Sequence, residues 1–419
     1  MRNRVAAVLA AATLALAGCG ADDSGANGTV TIKFLSLAYQ PPTVAAVKKI
    51  VDTFNQDHPK IHVELIQGSF DTVNDQLVPQ FQGGTAPDVI HSQSSLMTDF
   101  QQQGYLADLS GRLDKDLLAG VPKGVLGTVK DGDATFGFPT LLQSYVVFAN
   151  TDLLTAAGAA VPTGDTLKWD DFRDLAKKAT TGGHHGLGWG LKQPAATVMN
   201  LSLNFDGTYF DGTGREAKIS VSDNELEVPK RMRQMLETDK SLSPVSITQS
   251  GADTLPGFYA GQYAMVVGAD FLAQSITAGA PAGFNWTVLP PLTGTSSNQA
   301  ADPQVLAMPE QSAHPDEAAQ FIEYYAKPAN LAAVAQGDWL IPATTPASEA
   351  LAQQTAGQPA WPAILATGPH LVDAPFSHAT NYPRWKIESA QPALQQFLAG
   401  ELDLSGLKKK LVDGWQQDG

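Results

Sequence analysis

The sequence predicts an α/β fold in two lobes, and three observations carry that prediction. From Thr29 to His91, β-rich alternating segments trade places with amphipathic helical ones, the pattern of a mostly parallel sheet. At 419 residues and 44.2 kDa, with 43% apolar residues, the chain exceeds one ordinary hydrophobic core. Its middle holds Phe136-Gly137-Phe138-Pro139-Thr140-Leu141-Leu142-Gln143-Ser144-Tyr145-Val146-Val147-Phe148-Ala149-Asn150, where a Gly-Phe-Pro turn feeds a β-branched and aromatic strand. The polar pair Gln143 and Ser144 interrupts that apolar run. Two readings fit the pair: solvated residues of a central strand, or the point where the chain leaves one lobe for the other with both side chains facing a cleft.

The amino terminus reads as an address. Arg2 and Arg4 precede an apolar run from Val5 to Ala17, which ends in Leu16-Ala17-Gly18-Cys19. As a helix that run spans roughly 20 Å, short of the roughly 30 Å hydrocarbon core of a bilayer. The tetrad resembles the bacterial lipobox, which implies a signal peptide over residues 1–18 and a diacylglycerol thioether on Cys19. Cys19 is the only cysteine, so no internal disulfide is possible. Residues 19–28, rich in Asp, Ser, Gly and Asn, read as a flexible tether. The formal net charge of −15 becomes about −17 once Arg2 and Arg4 leave with the leader. Such a balance opposes nucleic acid and other phosphate-rich partners.

Beyond the tether, Thr29 to Leu37 is a first strand, and Val44 to Gln56 puts Val44, Val47, Ile50, Val51 and Phe54 on one helical face. His58-Pro59 ends the helix, and Ile61 to Ile66 is a second strand. Asp71 to Phe81 is helical, with Pro79 compromising its last turn. Asp88 to His91 is a third strand. In parallel sheets ligands sit at the carboxyl ends of strands, which puts Tyr39, Gln40, Gln93 and Ser94 on a common rim. A helix near Leu96 to Gln103 follows. Further on come a short helix at Thr151, another opening at Lys168-Trp169, and a glycine-rich loop and strand from Gly182 to Gly190. Glu225 to Glu237 is helical but contains Pro229, tolerable only in a first turn. Phe258 to Phe271 is helix end, turn and strand, with Asp270 and Phe271 at the strand's carboxyl end. Val288-Leu289-Pro290-Pro291 reads as a second crossing between lobes. Pro315 to Tyr325 is amphipathic, Trp339-Leu340-Ile341-Pro342 a structured loop, and Ala390 to Gln417 mostly helix.

In their order, Ala86-Pro87-Asp88-Val89, Gly137-Phe138-Pro139, Phe148 to Leu154, Trp169-Asp170-Asp171-Phe172, Phe258 to Met265, Pro315 to Ile322 and Leu340-Ile341-Pro342 resemble the extracellular solute-binding proteins of bacterial ABC importers, the group that includes maltose-binding protein. The resemblance runs from about Thr31 to the end. It implies a periplasmic-binding-protein-like fold, two α/β lobes joined by crossing hinge strands with a ligand cleft between. It also implies aromatic rings against sugar C–H faces, with amides, carboxylates or Arg for the hydroxyls. Carried over by position, Phe271 matches a pocket aromatic that is usually Trp. Trp189 matches a second-lobe aromatic, Trp339 the loop before Leu-Ile-Pro, and Tyr39 and Gln40 the loop after the first strand. Gln93 and Ser94 stand where relatives binding glycerol phosphates carry a Tyr-Glu pair, absent here. Arg384 lies near a segment that contributes to the cleft in relatives.

Each of these residues has a plainer reading. Trp189, Phe271 and Trp339 could be core, Asp270 a helix cap ahead of Leu272, and Arg384 a surface residue. His184-His185 lacks metal-site spacing and no His-Glu-x-x-His occurs, so no metal or cofactor is expected. There is no Gly-x-Ser-x-Gly and no Walker loop. Paired carboxylates for glycoside hydrolysis stay open, because their partnership is spatial.

The expectation is therefore a non-catalytic, monomeric, lipid-anchored receptor outside the cytoplasm that captures a neutral mono- or oligosaccharide and delivers it to an ABC permease. A glycerol-phosphate or glycerophosphodiester receptor of the same fold is one alternative, and a secreted carbohydrate-active hydrolase another. The expected lobes are discontinuous, 29–140 with 291–345 and 141–290 with 346–419.

Overall fold

The computed structural model describes residues 28–418. The leader, Cys19 and all of the tether but Gly28 lie outside the described residues. The first lobe begins with β1 (Val30–Ser36), α1 (Pro41–Asp57) and β2 (Ile61–Gln67), then α2 (Val73–Gly83), β3 (Val89–Gln93) and α3 (Ser94–Gln102). β1 pairs in parallel with β2 along its whole length and with β3 at Phe34 and Leu35. α1 buries Thr43, Val47, Ile50, Val51 and Phe54, a stripe at helical spacing that packs on the sheet. It ends where His58 stacks on Phe54 at 4.1 Å. α2 runs past Pro79 to Gly83 and is closed by Gly84 at φ 69°, a left-handed cap that glycine adopts without strain.

β4 (Phe138–Leu142) still belongs to this first sheet, whereas β5 (Tyr145–Asn150) belongs to the second. Gln143 and Ser144 are the whole of the connection, so the interrupted apolar run is a lobe crossing. The second lobe adds α4 (Trp169–Lys178), β6 (His185–Trp189), α5 (Pro194–Ser202), α6 (Asp223–Arg233), β7 (Tyr263–Ala269), α7 (Leu272–Gly279) and β8 (Trp286–Val288). Its sheet order is β8-β5-β7-β6, with β7 antiparallel to β5 and parallel to β6. The glycines of β6 answer a packing need: a Cβ on Gly186 would lie 1.8 Å from the carbonyl oxygen of Ala176 in α4. Pro229 stands in the interior of α6, not its first turn. The helix tolerates it because the carbonyl of Glu225, which Pro229 cannot serve with an N–H, accepts the Tyr209 hydroxyl at 2.9 Å.

The chain then returns through β9 (Gln304–Ala307), α8 (Pro315–Tyr325), α9 (Pro328–Asp338), β10 (Ile341–Pro342), α10 (Thr345–Gln354) and α11 (Trp361–Thr367). α12 (Gln391–Leu398) and α13 (Leu404–Asp418) end it. The first sheet is ordered β10-β4-β9-β3-β1-β2. Three expected lobe boundaries need correction. Leu141 and Leu142 still pair within the first sheet, so the chain leaves that lobe after 142 rather than after 140. Leu292 and Thr293 pair with Leu167 and Lys168 of the second lobe, so the second crossing lies between Ala300 and Gln304 rather than at Pro290-Pro291. α10 packs on α9 and on β10, and α11 packs on α10, so both helices go with the first lobe rather than the second. The third passage follows near Leu371 and Val372, which pair with Gln299 and Ala300.

β5 shows how the cores are divided. Val147 and Ala149 face one core with Trp169, Trp189 and Met265, while Val146 and Phe148 face the other. That second face meets the first lobe through Phe148, Trp286, Trp339 and Trp361, each ring within 6.0 Å of the next.

Candidate ligand-binding site

A cavity of about 160 Å3 opens where the crossings meet the carboxyl ends of β1 and β3. Three cavity residues stand side by side across the sheet, because Gln93 in β3 pairs with Gln304 in β9, and Gln304 pairs with Leu141 in β4. Tyr39 and Gln40, from the turn into α1, and Phe70 form one flank. Asp338 and Leu340, around the end of α9, form another, and Gln143 and Phe271 close the side toward the second lobe. Asp302 completes the lining.

Local rules explain most of these placements. α1 opens with Pro41 and Pro42, which have no N–H, so its start offers few donors to the cavity. Gln93 precedes α3 without capping it. Asp302 does so from another segment, accepting hydrogen bonds from the Ser95 amide at 3.3 Å and from the Ser94 and Ser95 hydroxyls at 3.1 Å each. Gln93 is thereby left free for the cavity.

Asp338 is 4% exposed and accepts a hydrogen bond from the Thr43 hydroxyl. Burial raises its carboxyl to a pKa of about 6 against the opposing pull of that bond. Burial and the nearby Asp338 charge also raise the Tyr39 phenol. Two residues before Gln93 in β3, and so on the same face of the sheet, His91 is buried with its Nδ1 3.2 Å from the Leu37 amide and its Nε2 2.8 Å from Gln304 Oε1. Burial lowers its pKa to about 4, so the ring is neutral near pH 7.

Of the residues singled out from sequence, Tyr39, Gln40, Gln93, Gln143 and Phe271 line this cavity. Six others lie elsewhere. Trp189 is 1% exposed and stacks on Trp169 at 6.4 Å inside the second-lobe core. Ser144 and Asp270 are fully buried and hold each other: the Asp270 carboxylate accepts the Ser144 amide and hydroxyl at 3.1 Å and the Phe271 amide at 3.0 Å. Burial pushes the Asp270 carboxyl well up, while those donors oppose the shift. This pair staples the first crossing to the end of β7. Ser94 is spent on Asp302. Trp339 lies between Trp286 and Trp361, stacked on the latter at 4.6 Å. Arg384 pairs with Glu388 at 2.9 Å, with a side chain 60% exposed.

Sequence reasoning missed Phe70, Leu141, Asp302, Gln304, Asp338 and Leu340. Asp338 and Leu340 flank a tryptophan already singled out, and that adjacency could have raised them. Asp302 and Gln304 carry no local signal. A wider groove of about 480 Å3 lies near α6 and α13, but Arg233 covers its one aromatic, Phe397, at 4.9 Å and pairs with Glu237. No helix among the described residues is long and apolar enough to cross a membrane.

The family model for bacterial extracellular solute-binding proteins matches residues 39–332. A Streptomyces antibioticus protein described as an uncharacterized lipoprotein in the oleD 5′ region is 39% identical over 413 residues, covering 97% of this chain and 91% of its own. Among solved structures, the GacH receptor of Streptomyces glaucescens, studied unliganded and with acarbose, aligns with a TM-score of 0.74 at 20% identity, covering 93% of this chain and 98% of its own. Maltose-bound MalE3 of T. maritima aligns at 0.72 and 20% identity, covering 93% and 100%. The sugar-binding protein MalE of Xanthomonas citri aligns at 0.77 and 17% identity, covering 93% and 96%.

Proposed function

The chain belongs to the bacterial extracellular solute-binding proteins, and from that premise we propose that it is the lipid-anchored binding component of an ABC importer, taking up a neutral mono- or oligosaccharide and handing it to the membrane permease. The observation that carries the sugar class is the make-up of the cavity wall. Tyr39, Phe70 and Phe271 offer ring surface, the glutamines offer neutral amides, Asp302 and Asp338 offer carboxylates, and no described lining residue is basic. Rings suit the C–H faces of a sugar, and amides and carboxylates suit its hydroxyls.

A phosphate would instead set its charge beside two carboxylates, with Pro41 and Pro42 where a helix start would otherwise offer N–H donors. The acarbose and maltose bound by the two structural neighbours are in keeping with the sugar reading. The lipoprotein relative supports attachment through Cys19. Gln143 and Phe271 lie on the crossing and the second-lobe side, opposite the first-lobe residues, so a ligand touching both sides favours the closed form by its extra contacts there.

Calorimetric titration of the unlipidated mature chain against neutral sugars and glycerophosphodiesters tests the class. Binding is expected from the sugars, and binding only from phosphate compounds overturns the reading. Two carboxylates on one cavity are also the donor set of a glycoside hydrolase. Incubation with the bound oligosaccharide should return it uncut, and product formation would establish the hydrolase instead.

A further inference from the structure

We propose that His91, which does not line the cavity, is a positioning residue that fixes Gln304 as a hydrogen-bond donor to the ligand. The proposal rests on the cavity being the sugar site and specifies the polarity that one wall presents. The Leu37 amide is a backbone donor and points at His91 Nδ1 at 3.2 Å. A ring nitrogen that accepts carries no proton, so the neutral ring holds its proton on Nε2. That N–H donates to Gln304 Oε1 at 2.8 Å.

The amide of Gln304 has no freedom to turn over, since its NH2 would then confront the imidazole N–H. With the oxygen taken by His91, the NH2 group is left without a protein partner among the described residues, and Gln304 lines the cavity. Its neighbours in register, Gln93 and Leu141, hold the backbone there, and the Thr140 hydroxyl donates to the Gln304 carbonyl at 3.0 Å. The cavity therefore holds one fixed donor, the Gln304 NH2, together with the acceptors Asp302 and Asp338. A ligand that fits offers an oxygen lone pair, from a hydroxyl or an acetal oxygen, to Gln304, and hydroxyl protons to the carboxylates.

Three substitutions, two of them also combined, and one spectrum test this. His91→Asn keeps an acceptor for Leu37 but is too short to reach Gln304, whereas His91→Gln keeps a donor at the Nε2 position. With maltose as the first probe, or the tightest binder of a neutral-sugar panel, H91N should weaken binding about tenfold with little change in Tm, and H91Q should restore most of it. In a Gln304→Ala background H91N should change affinity no further. An equal loss in that background, or no loss from H91N alone, overturns the proposal. Nitrogen-15 NMR of the ligand-free protein at pH 7 should show the Nε2–H tautomer at His91, and the Nδ1–H tautomer or an imidazolium overturns it without any ligand. If wild-type protein binds no sugar of the panel, the sugar reading fails and the tautomer alone decides the role of His91.

Discussion

Asp338 lines the cavity at the expense of the fold. Its carboxyl is raised from 3.8 to about 6 by burial, so the folded protein holds a proton there more tightly than the unfolded chain. Stability must therefore fall as pH climbs from about 4 to about 6, and the full penalty, on the order of 3 kcal/mol, applies above that window. Asp338→Asn removes the ionisation while its amide oxygen still accepts from Thr43. Its Tm at pH 7.5 should exceed that of wild type, and thermal scans between pH 4 and 7 should show a flatter decline; an unchanged slope would mean that Asp338 is not the group responsible. The same change should weaken sugar binding roughly tenfold or more, because hydrogen bonds to a charged acceptor are worth about 1.5–3 kcal/mol. Trp189 and Phe271 make the opposite contrast. Trp189→Ala empties a core position and should cost about 3–5 kcal/mol of stability, whereas Phe271→Ala should leave the denaturation midpoint close to wild type and lower affinity. Equal unfolding by both would remove Phe271 from the cavity wall. Sequence cannot separate these two aromatics, because each stands at the end of an apolar strand. Only their surroundings, full burial against Trp169 for one and a half-buried place on the cavity wall for the other, tell them apart.

At the scale of elements, α6 carries a proline that its own hydrogen-bond ladder cannot accommodate. Tyr209 makes up the loss by donating to the Glu225 carbonyl, and the Ser202 hydroxyl lies 3.5 Å from the same oxygen. Tyr209→Phe leaves that buried carbonyl with only the longer contact and should cost about 1–3 kcal/mol in urea unfolding; a variant as stable as wild type would show that Ser202 alone suffices. The strands and most helices of both lobes were legible because their periodicity is local, and the first crossing was legible because Gln143 and Ser144 break an apolar run. The second crossing was misplaced because Pro290-Pro291 looks like a break, yet the chain makes one more ladder with Leu167 and Lys168 before leaving. The return of α10 and α11 to the first lobe depends on their packing against α9 and β10, a tertiary choice without a signature in the segment itself. For the same reason Tyr39, Gln40 and Gln93 could be read from strand ends, while Asp302 and Gln304 could not, since only sheet register carries them to that rim.

For the whole molecule, three crossings make the ligand a structural element in its own right. Under the proposed function, a sugar held by Gln93, Gln304 and Asp338 on one side and by Phe271 and Gln143 on the other would join two cores that otherwise meet along the ring series from Phe148 to Trp361. Binding that favours the native state at a free concentration of about one hundred times Kd adds about 2.7 kcal/mol. Unfolding entropy near 2.1 cal/mol/K per residue over roughly 390 described residues turns that into a rise of about 3 °C, if the two lobes melt as one unit. The number is diagnostic because it depends on cooperativity. A ligand that touched only the first lobe would stabilise that lobe alone and split the calorimetric transition, whereas a bridging ligand should move a single transition intact. Scanning calorimetry of wild type with saturating sugar should therefore show one peak displaced upward by about that amount. Gln143→Ala, which removes a contact at the crossing itself, should keep the peak single but shrink the displacement at the same sugar concentration. Two separated peaks on adding sugar would place the ligand on one lobe and remove closure as the consequence of binding.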